Sequence, residues 1–321
     1  MLHAHRWLAA GAMAAAIAGP AQAAWPERPI TLIIPAAPGG TTDISARLIA
    51  DKLSARLGQQ IIVENRAGAA GIIGAQALAR AKPDGYTLLM GNIGPNAINY
   101  ALYKTLPYKA ADFAPVTLVI SVPNVLVVNE ASPARSVADL RAEAQRDPSK
   151  VSFGSSGAGQ SPHLSAELFK QRADIAGTHI PYKGAGPAVA ALLGRQFTFM
   201  IDNLPSSMPY IQSGKLHPLF VAGPRRQDIL PKTPTAREVG LDDFDISNWF
   251  GLFGPAGMPP ALVDRISADV AQALQAADVR EKLEGQGLAI SYKSPPDFKA
   301  FIGTEMTKYA GIIKAAGLEP Q

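Results

Sequence analysis

Four short polar loops hold most of the groups in this 321-residue sequence that could do chemistry. The first is PAAPGGTTD at residues 35–43, where Gly39 and Gly40 bare backbone N–H groups ahead of a helical pattern that opens near Asp43. A helix N-terminus carries about half a positive charge and unpaired N–H groups, so such a loop suits a carboxylate or phosphate. Thr41 and Thr42 can add hydroxyl donors, while Asp43 reads as a cap or first-turn residue; a plain capped turn is the alternative. The second loop, GNIGPN at 91–96, offers asparagine amides to a ligand or to a turn. The third, GSSGAGQSPH at 154–163, is the densest collection of donors, with His163 reading as a packed interior histidine more than a contact. The fourth, PYKGAGP at 181–187, sets Tyr182 and Lys183 beside another glycine loop at a helix start. Asp202-Asn203, ending an apolar run, suits a ligand amine, a hinge or a cap.

Other chemistries find little footing. The GxGxxG pattern breaks at Pro162 in GAGQSP, and the GxSxG nucleophile elbow breaks at Ala158 in GSSGA. A secreted serine hydrolase using Ser156, Asp202 and His217 in that chain order is the alternative from another class, weakened by Ala158 and by Pro218 beside the histidine. GAAGIIG at 68–74 has the spacing of close helix packing rather than of a pyrophosphate site. Zero cysteines remove thiol nucleophiles and cysteine-ligated metals, and two of the five histidines stand at positions 3 and 5. No metal or cofactor is therefore expected, and no enzyme activity. With 30 basic against 26 acidic residues and no basic run of five, a nucleic-acid partner is not expected either.

The elements that must position these loops alternate. Short β-branched or apolar runs at 30–34, 61–63, 86–90, 125–128, 151–153, 197–201 and 219–222 have the character of buried parallel strands. Helical spacing follows at Ile44, Leu48, Ile49, Leu53 and Leu57, at Leu164, Leu168 and Phe169, and in a terminal block over 260–275, 278–285 and 296–315. That is an α/β fold with mostly parallel sheets, and 47% hydrophobic residues over this length suit about two domains. Crossings near residues 113–124 and 242–249 imply that a second lobe is inserted in the first: 24–123 with 247–321, and 124–246. A ligand cleft is expected between such lobes, where strand ends and helix N-termini converge. At the N-terminus, Arg6, the apolar stretch Trp7–Ala18 and Ala21-Gln22-Ala23 form a secretory signal peptide over residues 1–23, cleaved after Ala23. Its removal lowers the formal charge from +4 to +3 and predicts a periplasmic product.

In sequence order, WPERPI at 25–30, PGG at 38–40 with Asp43, VENR at 63–66, PDGYT at 83–87, FAPV at 113–116, PYKG at 181–184 and PT at 234–235 with Glu238 resemble one family. It is the family of periplasmic receptors of tripartite tricarboxylate transporters, the Bug-type solute-binding proteins, and the resemblance spans about residues 25–317. It implies a type II-like two-lobed binding protein that captures a small carboxylate and delivers it to membrane permease subunits; a monomer is expected, and a sensor kinase is the alternative partner. In such receptors the carboxylate is gripped by loops after the first strands, partly through backbone amides and ordered water. Carried over, the grip falls on Ala37, Gly39, Gly40 and Thr41, the opposite lobe on Ser155, Ser156 and Gly157, and side contacts on Tyr182, Gly184 and Asp202. The chain departs from the pattern at Ala36-Ala37, where an aromatic is common, and at Thr41, where a small residue is frequent.

Overall fold

A computed structural model describes residues 25–223, 225–242, 244, 246–315, 317 and 319–320; the signal peptide and its cleavage after Ala23 lie outside them. In chain order the elements are β1 (Ile30–Ile34), α1 (Thr41–Leu57), β2 (Ile61–Asn65), α2 (Ile72–Ala79), β3 (Thr87–Asn92), α3 (Asn99–Leu102) and β4 (Phe113–Asn129). There follow α4 (Val137–Arg146), β5 (Ser152–Ser155), α5 (Ser161–Ala173), β6 (Thr178–Pro181), α6 (Ala185–Leu193), β7 (Phe199–Asn203), α7 (Leu204–Gln212) and β8 (Leu216–Val221). The chain ends with β9 (Ser247–Pro255), α8 (Pro260–Gln275), α9 (Ala277–Glu284), β10 (Ala289–Lys293) and α10 (Pro295–Ala315).

Two parallel strand groups, β2-β1-β3 and β6-β5-β7, form the backs of two lobes, and every antiparallel pairing involves β4 or β9. The 17-residue β4 belongs to both lobes. Its first part, Phe113–Pro123, pairs with β9, and its last part, from Asn124 to Asn129, pairs with β7 and β8. The partner switch falls at Pro123, which has no N–H to give to a ladder. Alternating strands and helices thus build two α/β layers joined by one shared strand.

Buried apolar faces explain the packing. Ile30, Leu32 and Ile34 of β1 share a core with Ile49 and Leu53 of α1 and with Ile266, Val270 and Leu274 of α8. In the other lobe Val125 and Val127 of β4 meet Val189 and Leu192 of α6 and Met208 of α7. The terminal block returns to the first lobe: Phe298 and Tyr309 of α10 are fully buried, each burial being worth about 1.5–3 kcal/mol. No helix among the described residues is long and apolar enough to cross a membrane.

The first helix starts two residues earlier than its apolar spacing predicts. Gly40 is its extended N-cap, so Thr41 and Thr42 are helical, and Asp43 sits in the first turn. The Asp43 carboxylate accepts from the Gly39 N–H at 3.0 Å, and from Arg47 and the Asn65 amide. Burial alone would raise this carboxyl, but Arg47, the Gly39 N–H and Asn65 outweigh burial and hold it below its ordinary value.

Candidate functional site

A cavity of about 300 Å³ lies where the loops after β1, β3 and β5 meet the starts of three helices. These helices are α1 with N-cap Gly40, α5 with N-cap Gln160 and α6 with N-cap Gly184, and none of the three N-caps makes a side-chain hydrogen bond to its own helix. All three N-caps line the cavity. Its lining contains no Asp, Glu or Arg, and Lys183 is its one charged side chain. Three helix N-termini, each worth about half a positive charge, and one ammonium therefore face a space with no competing carboxylate. Burial pushes the Tyr103 phenol up, so this lining group stays neutral and can donate.

Of the ten residues singled out from the sequence, Gly40, Thr41, Ser156, Gly157, Tyr182 and Gly184 border the cavity. The other four are not in its lining. Ala37 packs on the opposite lobe, where a Cβ built on Gly184 would come within 2.7 Å of the Ala37 Cβ. The N–H of Gly39 is taken by Asp43. Ser155 is fully buried; its hydroxyl accepts from the Gly157 N–H at 3.2 Å and lies 2.7 Å from His179 Nε2. Asp202 is fully buried, accepts from the Ser207 hydroxyl at 2.8 Å, and is pushed up to about 7 by burial, so it is no ready partner for a ligand amine. The next residue, Asn203, does line the cavity.

Thr41 has a different task from the one its position suggests. Its N–H and its hydroxyl both meet Ser206 Oγ of α7, at 3.0 and 2.7 Å, so the expected anion donor instead ties α1 to the second lobe. Thr42 is better placed to donate, because its hydroxyl accepts from the Asn92 amide at 3.2 Å and keeps its own proton. His163 lies off the cavity, its Nδ1 accepting from the Gly159 N–H at 3.1 Å.

Sequence reasoning missed the loop at Gly68–Gly71, which lines the cavity. Ala69 and Ala70 there hold φ of 45° and 52°, the left-handed region that costs a non-glycine residue about 1–2 kcal/mol. Strain of this kind concentrates where a backbone must present its groups. The packing reading holds for Gly74, where a Cβ would come within 2.8 Å of Pro35 Cα. Asn248 was missed as well: it lines the cavity from β9, and its amide nitrogen donates to Asn124 Oδ1 at 2.9 Å and to Asn203 Oδ1. Asn124 in turn donates to Ser165 at 2.7 Å, so an amide chain spans the point where β4 changes partners.

The hydrolase constellation is not assembled. Asp202 is committed to Ser207, and His217 sits on β8 in register with Val128.

Two α/β lobes sharing a long strand, with helix N-termini converging on an acid-free cavity between them, define a solute-binding receptor. Residues 45–318 match the family described as tripartite tricarboxylate transporter family receptor. The chain belongs to that family of receptors, which are not enzymes. It is 38% identical over 306 residues to Protein BugT of Bordetella pertussis, covering 94% of each chain. Among solved structures it is similar to an R. palustris protein with adipate (37% identity, TM-score 0.90, covering 92% of this chain and 100% of that one). It is also similar to MatC from Rhodopseudomonas palustris with bound malate (31% identity, TM-score 0.85, covering 90% and 99%).

Proposed function

We propose that the mature protein is a periplasmic receptor that closes its lobes on a small carboxylate and delivers it to a tripartite tricarboxylate membrane permease. The observation that carries this reading is the convergence of three helix N-termini and Lys183 on a cavity without an acidic side chain. Similarity to proteins with adipate and malate supports the ligand class. The contacts fall on the backbone and hydroxyls around Gly40, Thr42, Ser156, Gly157, Tyr182 and Gly184, with Thr41 on the wall but bonded to Ser206, and Ala37, Gly39, Ser155 and Asp202 holding the loops from outside the lining. Residues 24–123 with 247–321 form one lobe and 124–246 the other, after cleavage of the signal peptide at Ala23.

Closure follows from differential binding. A carboxylate between the lobes takes hydrogen bonds from both only when they approach, each charge-assisted bond being worth about 1.5–3 kcal/mol, so the ligand shifts the population toward the closed form. A thermal-shift screen of the mature protein tests this: adipate and malate are expected to raise the melting temperature and neutral adipamide is not. At a ligand concentration a hundred times Kd the gain is about 2.7 kcal/mol. If no carboxylate shifts the melting temperature, the ligand class is wrong.

A further inference from the structure

Part of the wall that the second lobe gives the cavity is the loop after β5, where Ser156, Gly157, Ala158 and Gln160 line the space while Ser155 and Gly159 do not. The backbone N–H groups of this loop divide into two sets. That of Gly159 donates to His163 Nδ1 at 3.1 Å, and that of Gly157 donates to Ser155 Oγ at 3.2 Å, an oxygen that lies 2.7 Å from His179 Nε2. Among the described residues nothing accepts from the N–H of Ser156 or of Ala158. Gly157 and Gly159 hold φ of 143° and 77°, a region open to glycine, which lets successive peptide planes face opposite ways.

The two imidazoles form one support. They stack at 4.0 Å with 20° between their planes, and Phe153 of β5 stacks on His179 at 5.0 Å. Neither imidazole lines the cavity. The charged groups beside the pair belong to α5: Glu167 Oε1 lies 3.7 Å from His163 Nε2, and Lys170 holds the same carboxylate at 2.9 Å. Because His163 Nδ1 accepts from Gly159, the neutral ring carries its proton on Nε2, the nitrogen nearer Glu167. The loop also abuts the first lobe, Gln160 at Gly94 and Gly159 at Leu102, so the support reaches the contact between the lobes.

We propose that His163 and His179 are positioning residues for the ligand: they draw back the N–H groups of Gly159 and Gly157, one directly and one through Ser155, and so leave those of Ser156 and Ala158 to take a carboxylate oxygen. Donors fixed in a wall need no ordering when the ligand arrives, so loosening the wall lowers affinity without removing a contact group. For the ligand this rests on the carboxylate reading, whereas the fixing of the wall belongs to the protein alone. A pair that served packing only would need its rings and could lose its nitrogens. Positioning demands the reverse.

Two variants of His163 separate these roles. His163→Phe keeps a ring in the stack and removes the acceptor, while His163→Asn gives up the ring and sets an amide oxygen where Nδ1 stands. In the mature protein without ligand, amide exchange at Gly157 and Gln160 is expected to quicken about tenfold in His163→Phe and to stay within about twofold of the wild type in His163→Asn. Calorimetric titration with adipate or malate, whichever raises the wild-type melting temperature more, is expected to follow the same order, with Kd about tenfold higher in His163→Phe and within about twofold in His163→Asn. His179→Phe and His179→Gln repeat the contrast at Ser155, and they decide if His163→Phe does not fold. Nitrogen-15 spectra of the wild type are expected to show His163 protonated on Nε2 and bare at Nδ1. A proton on His163 Nδ1, equal loop exchange in the phenylalanine variants and the wild type, or an unchanged Kd in those variants would overturn the proposal. If neither adipate nor malate binds the wild type, the carboxylate reading falls, and the fixing of the wall stands or falls on the exchange contrast.

Discussion

At the residue scale the informative positions are those whose hydrogen bonds are already spent. Thr41 donates its N–H to Ser206 Oγ and its hydroxyl shares a hydrogen bond with the same oxygen, so Ser206→Ala removes bonds that join α1 to α7 and leaves a buried N–H unpaired. Its ligand affinity is expected to fall about threefold to tenfold, the equivalent of about 0.5–1.5 kcal/mol, with the melting temperature of the ligand-free protein unchanged. Calorimetric titration with a carboxylate that binds the wild type reads the first effect, and an unchanged Kd would remove the bond from closure. Asp202 works on stability instead. Burial raises its carboxyl from 3.8 to about 7, so the folded chain keeps a proton that the unfolded chain has released. Its contribution is complete in acid and is lost as pH rises from about 4 to about 7, each unit of difference being worth about 1.4 kcal/mol. Asp202→Asn is expected to remove that decline, which urea unfolding at several pH values measures. Neither task was legible in the sequence, where Thr41 looks like a donor for an anion and Asp202 like a free acid at a strand end. Both depend on α7, which contacts them through Ser206 and Ser207, residues that no local spacing ties to either position.

At the element scale, loops after parallel strands were the legible part. The glycine loops at 35–43, 154–163 and 181–187 all reach the cavity because strand C-termini and helix N-termini must gather at one edge of such a layer. The Gly68–Gly71 loop reads as packing because its glycine spacing suits that use better than a pyrophosphate site, and the left-handed Ala69 and Ala70, which put the loop on the cavity wall, leave no mark in that spacing. Strand β9 is absent from the strands expected from the sequence, where only a crossing near residues 242–249 is read. In the fold Gly251 is needed: a Cβ there would come within 2.2 Å of the Phe298 ring. The family motifs proved mostly structural, as where Glu238 ties Thr235 to Arg226. Behind the 154–163 loop, His163 and His179 stack at 4.0 Å, with Phe153 at 5.0 Å from His179. Burial first, then the neighbouring His163 and Lys170 against Glu167, pull His179 down to about 4. The unfolded chain then takes up the proton first, so this stability is present above about 6.5 and is lost as pH falls toward 4. His179→Phe is expected to keep the stack and flatten that acid limb, opposite in sign to the Asp202 effect.

At the scale of the whole molecule, the lobes touch through positions that have no side chain. A Cβ on Gly94 would come within 2.3 Å of Gln160, and one on Gly159 within 2.2 Å of Leu102, both across the cleft. These clashes involve side chains that can turn away. Gly186, in the first turn of α6, is different: its Cβ would come within 2.8 Å of the Pro38 carbonyl oxygen, and backbone cannot rotate aside. Its φ is not in the left-handed region, so a β-branched residue fits the helix itself. Gly186→Val therefore strains only the closed arrangement and leaves each lobe intact. The apparent Kd rises by the factor through which the closed population falls, and two wedged methyl groups against a carbonyl are expected to cost at least tenfold. Small-angle scattering supplies the second readout, because the wild type is expected to contract on adding its carboxylate and Gly186→Val is not. Equal affinity and equal contraction in the variant would mean that the ligand is held without this approach of α6 to the 35–43 loop, and the grip would then have to come from one lobe.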